Sequence, residues 1–139
     1  VTEVPWLDGE EFCFDVSRNY KYKLYAKALT KIMVRRFDLN KVIDVPREEC
    51  EVLVALYLNT IGTRWYDSTN WLVTPEVGTW KGIEVENDHI VAINLDQEYL
   101  HGTLPEELGN LTFLRKLDLG NDHSIYETTP VFLFHLIRL

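Results

Sequence analysis

An α/β solenoid, capped by helices at its N-terminal end and carrying a short parallel sheet, is the fold the sequence predicts. Three observations lead to it. The apolar pattern of Ile90 to Leu95 returns at Leu114 to Leu119, two stretches with helical apolar spacing precede it, and the polar segment between holds two tryptophans and runs into a third. An internal period of this kind marks a stack of units that bury their apolar faces only against one another.

The composition suits one packed core. In 139 residues, 46% are hydrophobic and 12% aromatic, enough for a sizeable interior and unlike a disordered chain. The net charge of −8 and a pI near 4.9 argue against nucleic acid as a partner, because phosphates repel a surplus of carboxylates. The acidity sits late in the chain: residues 1–38 carry seven basic and six acidic side chains, residues 39–139 seven and sixteen. That shift places a boundary near Lys41 to Pro46 and suggests three parts: an arm and helix over 1–45, a cap over 46–89, and repeats over 90–139. No apolar run is long enough to span a bilayer. The chain opens with Val1 and not with methionine, so a longer gene product is expected, and its compartment stays open. Cys13 and Cys50 could form one bridge, but two cysteines make no disulfide framework; two unpaired buried thiols are the simpler reading.

Residues 1–19 mix Trp6, Phe12 and Phe14 with Asp8, Glu10, Glu11 and Asp15 in no sustained period, which reads as an irregular arm. From Tyr20 to Phe37, Leu24, Tyr25, Ala28, Leu29, Ile32 and Met33 recur at helical spacing, with Lys23, Lys27, Lys31 and Arg35 largely on other faces. That basic face is expected to be solvated beside the acidic remainder of the chain, contact with an anionic membrane being the alternative. Asp44 and Pro46 signal a second helix, with Glu48 and Glu49 in the turn where the dipole favours negative charge. Its apolar stripe is Cys50, Leu53, Val54, Tyr57 and Ile61, and Gly62 is its stop. The stretch Thr63 to Thr79 is loop-like yet holds Trp65 and Trp71, so it should fold back over an apolar surface. Trp80 opens a short strand through Ile83 and Val85.

The decisive recurrence is Ile90-Val91-Ala92-Ile93-Asn94-Leu95 against Leu114-Arg115-Lys116-Leu117-Asp118-Leu119. Leu100, Pro105, Leu108 and Leu111 then return in the same order as Ile125, Pro130, Leu133 and Leu136, displaced by one inserted residue. Leu139 would open a third unit. Alternation in L-x-x-L-x-L sends the strand leucines into the core, and the later leucines and proline return the chain across the convex side.

The span Leu100-His101-Gly102-Thr103-Leu104-Pro105-Glu106-Glu107-Leu108-Gly109-Asn110-Leu111-Thr112 resembles the L-x-G-x-I-P-x-x-L-G-N-L signature of plant-type leucine-rich repeats. Upstream, Ala55-Leu56-Tyr57, Trp65, Asn70-Trp71-Leu72, Trp80-Lys81-Gly82-Ile83 and Ile90-Val91 are similar to the cap that precedes such repeats. The resemblance covers residues 46–139 and implies a protein-binding module with no cofactor. Thr79 and Val85 stand where secreted plant members carry cap cysteines, so that disulfide is absent. Glu98 and Asp122 replace the ladder asparagine. Glu127 stands where the second unit should have glycine, which predicts a bulge from Asp122 to Glu127.

Catalytic chemistry is not suggested. His89, His101, His123 and His135 lack a spacing that pairs them on one helix face, and neither cysteine has a nearby second ligand, so no metal is expected. Asp122-His123-Ser124 are consecutive and cannot aim into one relay. The glycines form no phosphate loop. Glu106 and Glu107 fall on the convex turn, and the sequon at Asn110 is also repeat consensus, so it decides no compartment.

The expectation is therefore a protein–protein recognition module and not an enzyme. Its contacts should come from residues between the strand leucines: Asn94, Asp96, Gln97, Lys116, Asp118 and Asn121. The alternative is a structural subunit of a filament or large assembly, self-associating through the uncapped end at Phe132, Phe134, Ile137 and Leu139.

Overall fold

The computed structural model describes residues 16–120, with side chains from residue 24 onward. Helix α1 (Val16–Arg36) leads through a 3-10 turn at Leu39–Lys41 into helix α2 (Arg47–Asn59). After a tryptophan-bearing loop, strands β1 (Ile83–Glu86), β2 (His89–Asn94) and β3 (Lys116–Asp118) form one sheet in the order β1-β2-β3. A further 3-10 turn, Glu106–Asn110, crosses between β2 and β3. The described chain is thus an α/β arrangement of two helices and a three-stranded sheet. No helix among the described residues is long and apolar enough to cross a membrane.

The amphipathic period of α1 is as expected, but its phase is rotated. Arg35 and Arg36 occupy the last turn, where the helix dipole favours cations. Ala26 and Thr30 are the buried side chains, followed by Met33, Val34 and Phe37 against the core, whereas Leu24 and Ile32 are exposed. Hydrogen bonding sets this phase. The Thr30 and Thr63 hydroxyls lie 2.7 Å from each other and 2.7 Å and 2.9 Å from Ala26 O, so that their two protons are shared between Ala26 O and the hydroxyl–hydroxyl contact. A small residue and a threonine let α1 approach the Gly62–Arg64 turn more closely than a row of leucines would.

Two local assignments around α2 change. Its N-cap is Pro46 without a side-chain bond, while the Asp44 carboxylate reaches across to accept from Val77 N and Gly78 N, both at 2.8 Å. Asp44 therefore caps the 3-10 turn at Val77–Thr79 and ties the tryptophan loop to the entry of α2. At the other end the left-handed residue is Ile61 (φ 56°), not Gly62. Gly62 is required for space: a Cβ there would fall 2.1 Å from the Tyr57 ring.

All three tryptophans are buried, Trp65 at 5%, Trp71 at 1% and Trp80 at 1% exposure, beside Leu53, Leu56 and Tyr57. Trp71 stacks on Tyr57 at 6.0 Å and meets Trp65 edge-on at 4.7 Å; Trp80 lies 5.1 Å from Trp71 and packs edge-to-face with Phe37 at 5.5 Å. Each indole N–H donates to a backbone carbonyl: Trp65 to Thr60 O at 3.3 Å, Trp71 to Lys81 O at 2.9 Å and Trp80 to Thr74 O at 3.2 Å. The loop can therefore be polar in sequence and still cover the core. Cys50 is a free thiol in this interior, its pKa pushed up to about 12 by burial and then by the carboxylates of Asp44 and Glu51. Cys13 lies outside the described residues.

The sheet is mixed and not parallel throughout. β1 and β2 are antiparallel, joined by Asn87 (φ 51°) and Asp88 (φ 67°). A two-residue loop can link only antiparallel neighbours, and these residue types tolerate the left-handed region that a hairpin turn of this kind needs. β2 and β3 are parallel, with Ala92 opposite Lys116, Ile93 opposite Leu117 and Asn94 opposite Asp118. These are the pairs obtained by laying Ile90 to Leu95 over Leu114 to Leu119, so the recurrence seen in sequence is a spatial register. Between the strands Leu100, Leu104, Leu108 and Leu111 are buried, while Leu117 and Leu119 are half-buried against the same core. The expected bulge at Asp122 to Glu127 lies outside the described residues.

Gly102, the glycine of the L-x-G motif, has φ 107°, and a Cβ would meet Asn59 O at 2.2 Å. Both the conformation and the contact exclude a side chain where the crossing segment touches the end of α2. Gly102→Ala is expected to cost about 2 kcal/mol, read by denaturant unfolding.

Candidate functional site

Polar side chains gather where β2 and β3 end. Asn94 turns the chain out of β2 by accepting from Asp96 N at 3.1 Å, and Asp118 does the same in β3 by accepting from Gly120 N at 2.9 Å. These two residues are register partners. The repeat thus repeats its chemistry as well as its spacing, since each side chain supplies an Asx turn at a strand end. Leu95 N, between the two turns, donates to Asp118 O at 2.7 Å and closes the ladder.

Of the six contact residues predicted, Asn94, Asp96, Gln97 and Lys116 are exposed and Asp118 is half-buried. Asn121 lies outside the described residues, as do Phe132, Phe134, Ile137 and Leu139 of the predicted assembly face. Asn94 and Asp118 each have one oxygen engaged in their own turn. Asp96, Gln97 and Lys116 carry side chains with no hydrogen bond or ion pair among the described residues. On α1, Lys27, Lys31 and Arg35 are exposed.

Beside the strand ends lies an open cleft of about 370 Å3 lined by Tyr66, Lys81, Asp96, Gln97, Glu98 and Tyr99. A neighbouring hollow of about 300 Å3 is lined by Lys81, Gly82, Asn94 and the same loop. Tyr66 and Tyr99 are 80% and 62% exposed, with ring centroids 6.5 Å apart and planes at 76°. Gln97 (φ 64°) and Tyr99 (φ 61°) are both left-handed, a conformation costly for residues of their size.

Glu98 holds this loop in place. It is 3% exposed; Oε1 accepts from Asp67 N at 2.7 Å, Oε2 pairs with Lys81 Nζ at 3.3 Å, and its own carbonyl accepts from Tyr66 N at 3.2 Å. Asparagine at this place would be too short to reach the tryptophan loop. The departure flagged in the sequence is therefore a brace between the first repeat and the loop before it, and it brings Tyr66 next to Tyr99. Neither tyrosine was singled out by sequence, because they lie far apart along the chain and belong to no common period.

Lys81 also pairs with Asp67 at 3.3 Å. Glu98 first, then Asp67, raise the Lys81 ammonium above 10.5, while the Thr69 hydroxyl and backbone N–H, followed by Lys81, hold Asp67 below 3.8. The depressed carboxyl stabilises the fold above about pH 4 and loses that contribution as pH falls through its folded value. The raised ammonium contributes fully below 10.5 and loses its share as pH rises through its folded value. Lys81→Met should therefore show its full stability deficit at neutral pH and a shrinking one at both extremes, in unfolding curves taken from strongly acidic to strongly alkaline pH. Exposure of the Lys81 side chain keeps the deficit small.

A second carboxylate anchors β2. Glu49 is 8% exposed; Oε1 accepts from Ile90 N at 2.8 Å, and Oε2 lies 2.7 Å from His89 Nδ1. The His89 ring stacks on Phe113 at 3.7 Å. This carboxylate–imidazole pair fastens the strand to α2. Among the described residues no three His, Cys, Asp or Glu side chains converge to hold a metal. Asp122, His123 and Ser124 lie outside those residues.

No family model matches the chain. Among solved structures it is similar to a leucine-rich repeat protein from Bacteroides eggerthii DSM 20697, with 21% identity and a TM-score of 0.44. The match covers 52% of this chain and 13% of that one, so the chain spans a small part of that protein's length.

Proposed function

We propose that the chain is a protein-recognition segment of a leucine-rich repeat protein of the plant type, its residues 46–89 serving as a cap and its contacts made by the exposed side chains of β2, β3 and the loop after β2. The observation that carries the reading is the parallel pairing of β2 with β3 at the constant offset of the sequence recurrence, joined to the signature spanning Leu100 to Thr112. A stack built this way presents one row of side chains per strand in a fixed grid, which suits recognition of an extended protein surface. The chemistry on view is that of binding: exposed amides, a lysine, a carboxylate and two tyrosines, with the buried carboxylates engaged in fastening loops. Tyrosine on a rigid support offers a large contact area at a small entropic cost. No catalytic role is assigned.

Benzophenone photo-crosslinking tests the reading. A benzoylphenylalanine placed at Lys116 should give a discrete protein adduct in extracts of the source organism, abolished by Asp96→Ala. The same group at Glu107, on the crossing turn, should give none. Equal adducts from both positions, or indifference to Asp96→Ala, would contradict it.

A further inference from the structure

We infer that the cleft between Tyr66, Tyr99 and Asp96 is a pocket for a cationic side chain, an arginine presented by the protein partner. The inference rests on the recognition reading above and specifies its chemistry. Two large rings stand mostly in solvent, and they meet each other in edge-to-face geometry at 6.5 Å. Such a pair leaves ring faces open at the cleft wall. A guanidinium is drawn to a tyrosine face by the ring quadrupole and lies flat on it.

The charge around the cleft has the matching sign. Asp67, Asp96 and Glu98 bring three carboxylates, and Lys81 is the ammonium among them. Lys81 is held between Glu98 and Asp67, so its charge is offset within the brace and does not face an incoming cation alone. Asp96, on the cleft wall, has no ion pair among the described residues; its Oδ1 lies against Gly120, and its carboxylate can accept from a guanidinium in the cleft. The cleft of about 370 Å3 is ample for one side chain and is open to one that enters from a partner lying over the strands.

Rigidity supports the same conclusion. Tyr99 and Gln97 are held left-handed by the Glu98 brace on one side and by the buried Leu100 on the other. The backbone that carries Tyr99 is therefore set before a ligand arrives, and Tyr66 N is bonded to Glu98 O, which lowers the ordering cost of binding. Arginine is favoured over lysine because the flat, weakly hydrated fork can stack and make two bonds at once, whereas an ammonium must choose.

The test uses the whole chain and the tripeptide acetyl-Gly-Arg-Gly-amide, followed by NMR, with the lysine and uncharged citrulline analogues alongside. The arginine peptide should shift the ring resonances of Tyr66 and Tyr99 and the Asp96 amide. Lysine should bind several-fold more weakly and citrulline should leave the rings unmoved. Asp96→Asn, and separately Tyr99→Ala, should each weaken the arginine peptide about fivefold. All three residues named are exposed, and an unchanged amide spectrum elsewhere verifies the fold of each variant. Equal shifts with citrulline, or shifts confined to Lys116 and Asp118, would overturn the pocket. Crosslinks from position 116 persisting alongside that negative result would leave the recognition face standing; loss of both would remove the two readings together.

Discussion

Trp80→Ala is expected to cost about 3–5 kcal/mol and to lower cooperativity of unfolding across the whole described core. The indole is buried to 1% exposure, its N–H bonds Thr74 O, and its ring is sandwiched between Phe37 from the end of α1 and Trp71 from the loop. Removing it opens a cavity shared by the helices, the loop and the start of β1. Neighbouring rings cannot collapse into that space, because Trp71 is itself fixed by its bond to Lys81 O. Trp80→Phe should recover part of the loss by refilling volume without restoring the bond. Guanidinium unfolding followed by far-ultraviolet circular dichroism measures both. A cost under about 1 kcal/mol for the alanine variant would mean that the ring is not part of the core.

Glu49→Ala is expected to be the second most damaging change, at about 2–3 kcal/mol. Its carboxylate accepts from the buried Ile90 N–H, which would be left without a partner, and His89 would lose its contact. An orphaned buried donor carries the full desolvation penalty, whereas Glu49→Gln keeps a carbonyl oxygen in reach and should lose only about 1 kcal/mol. The difference between the two variants isolates the bond from the packing of the stem. Hydrogen exchange at Ile90 should accelerate far more in the alanine variant than in the glutamine variant.

How much of this was legible beforehand depends on whether a feature is periodic. The β2–β3 register, the stripe of α2 from Cys50 to Tyr57 and the burial of three tryptophans all follow from spacing or from side-chain size, and the structure has them, although Ile61 of that stripe lies beyond the helix end at Asn59. The phase of α1 did not follow, because Thr30 scores as polar while its hydroxyl is satisfied by Ala26 O and Thr63. Apolar bulk at Leu24 and Ile32 pointed to the opposite face. Asp44 was read only as part of the signal for α2, since sequence gives no hint that a carboxylate will reach far ahead along the chain to Val77. The antiparallel hairpin at Asn87-Asp88 was hidden by treating Trp80 to Val85 as an isolated strand. At the candidate site, Asp96 and Gln97 are exposed in the turn beyond β2, while the exposure of Asn94 and Lys116 was legible from alternation. Tyr66, Lys81 and the bracing role of Glu98 were not, since a contact between distant positions in irregular loops leaves no pattern to read.

The central claim is that β2 and β3 pair in parallel at the offset of the sequence recurrence and so fix which of their side chains face outward. Backbone NMR of the isotopically labelled chain tests it directly. The account predicts nuclear Overhauser contacts between the Arg115 amide and Val91–Ala92 and between the Leu95 amide and Asp118, with slow exchange at both amides, which donate to Val91 O at 2.8 Å and Asp118 O at 2.7 Å. A register displaced by one position would set Lys116 and Asp118 of β3 on the face opposite Asn94 of β2. Contacts in that displaced register, or an antiparallel set, would contradict the β2–β3 pairing and the proposed recognition face built on it.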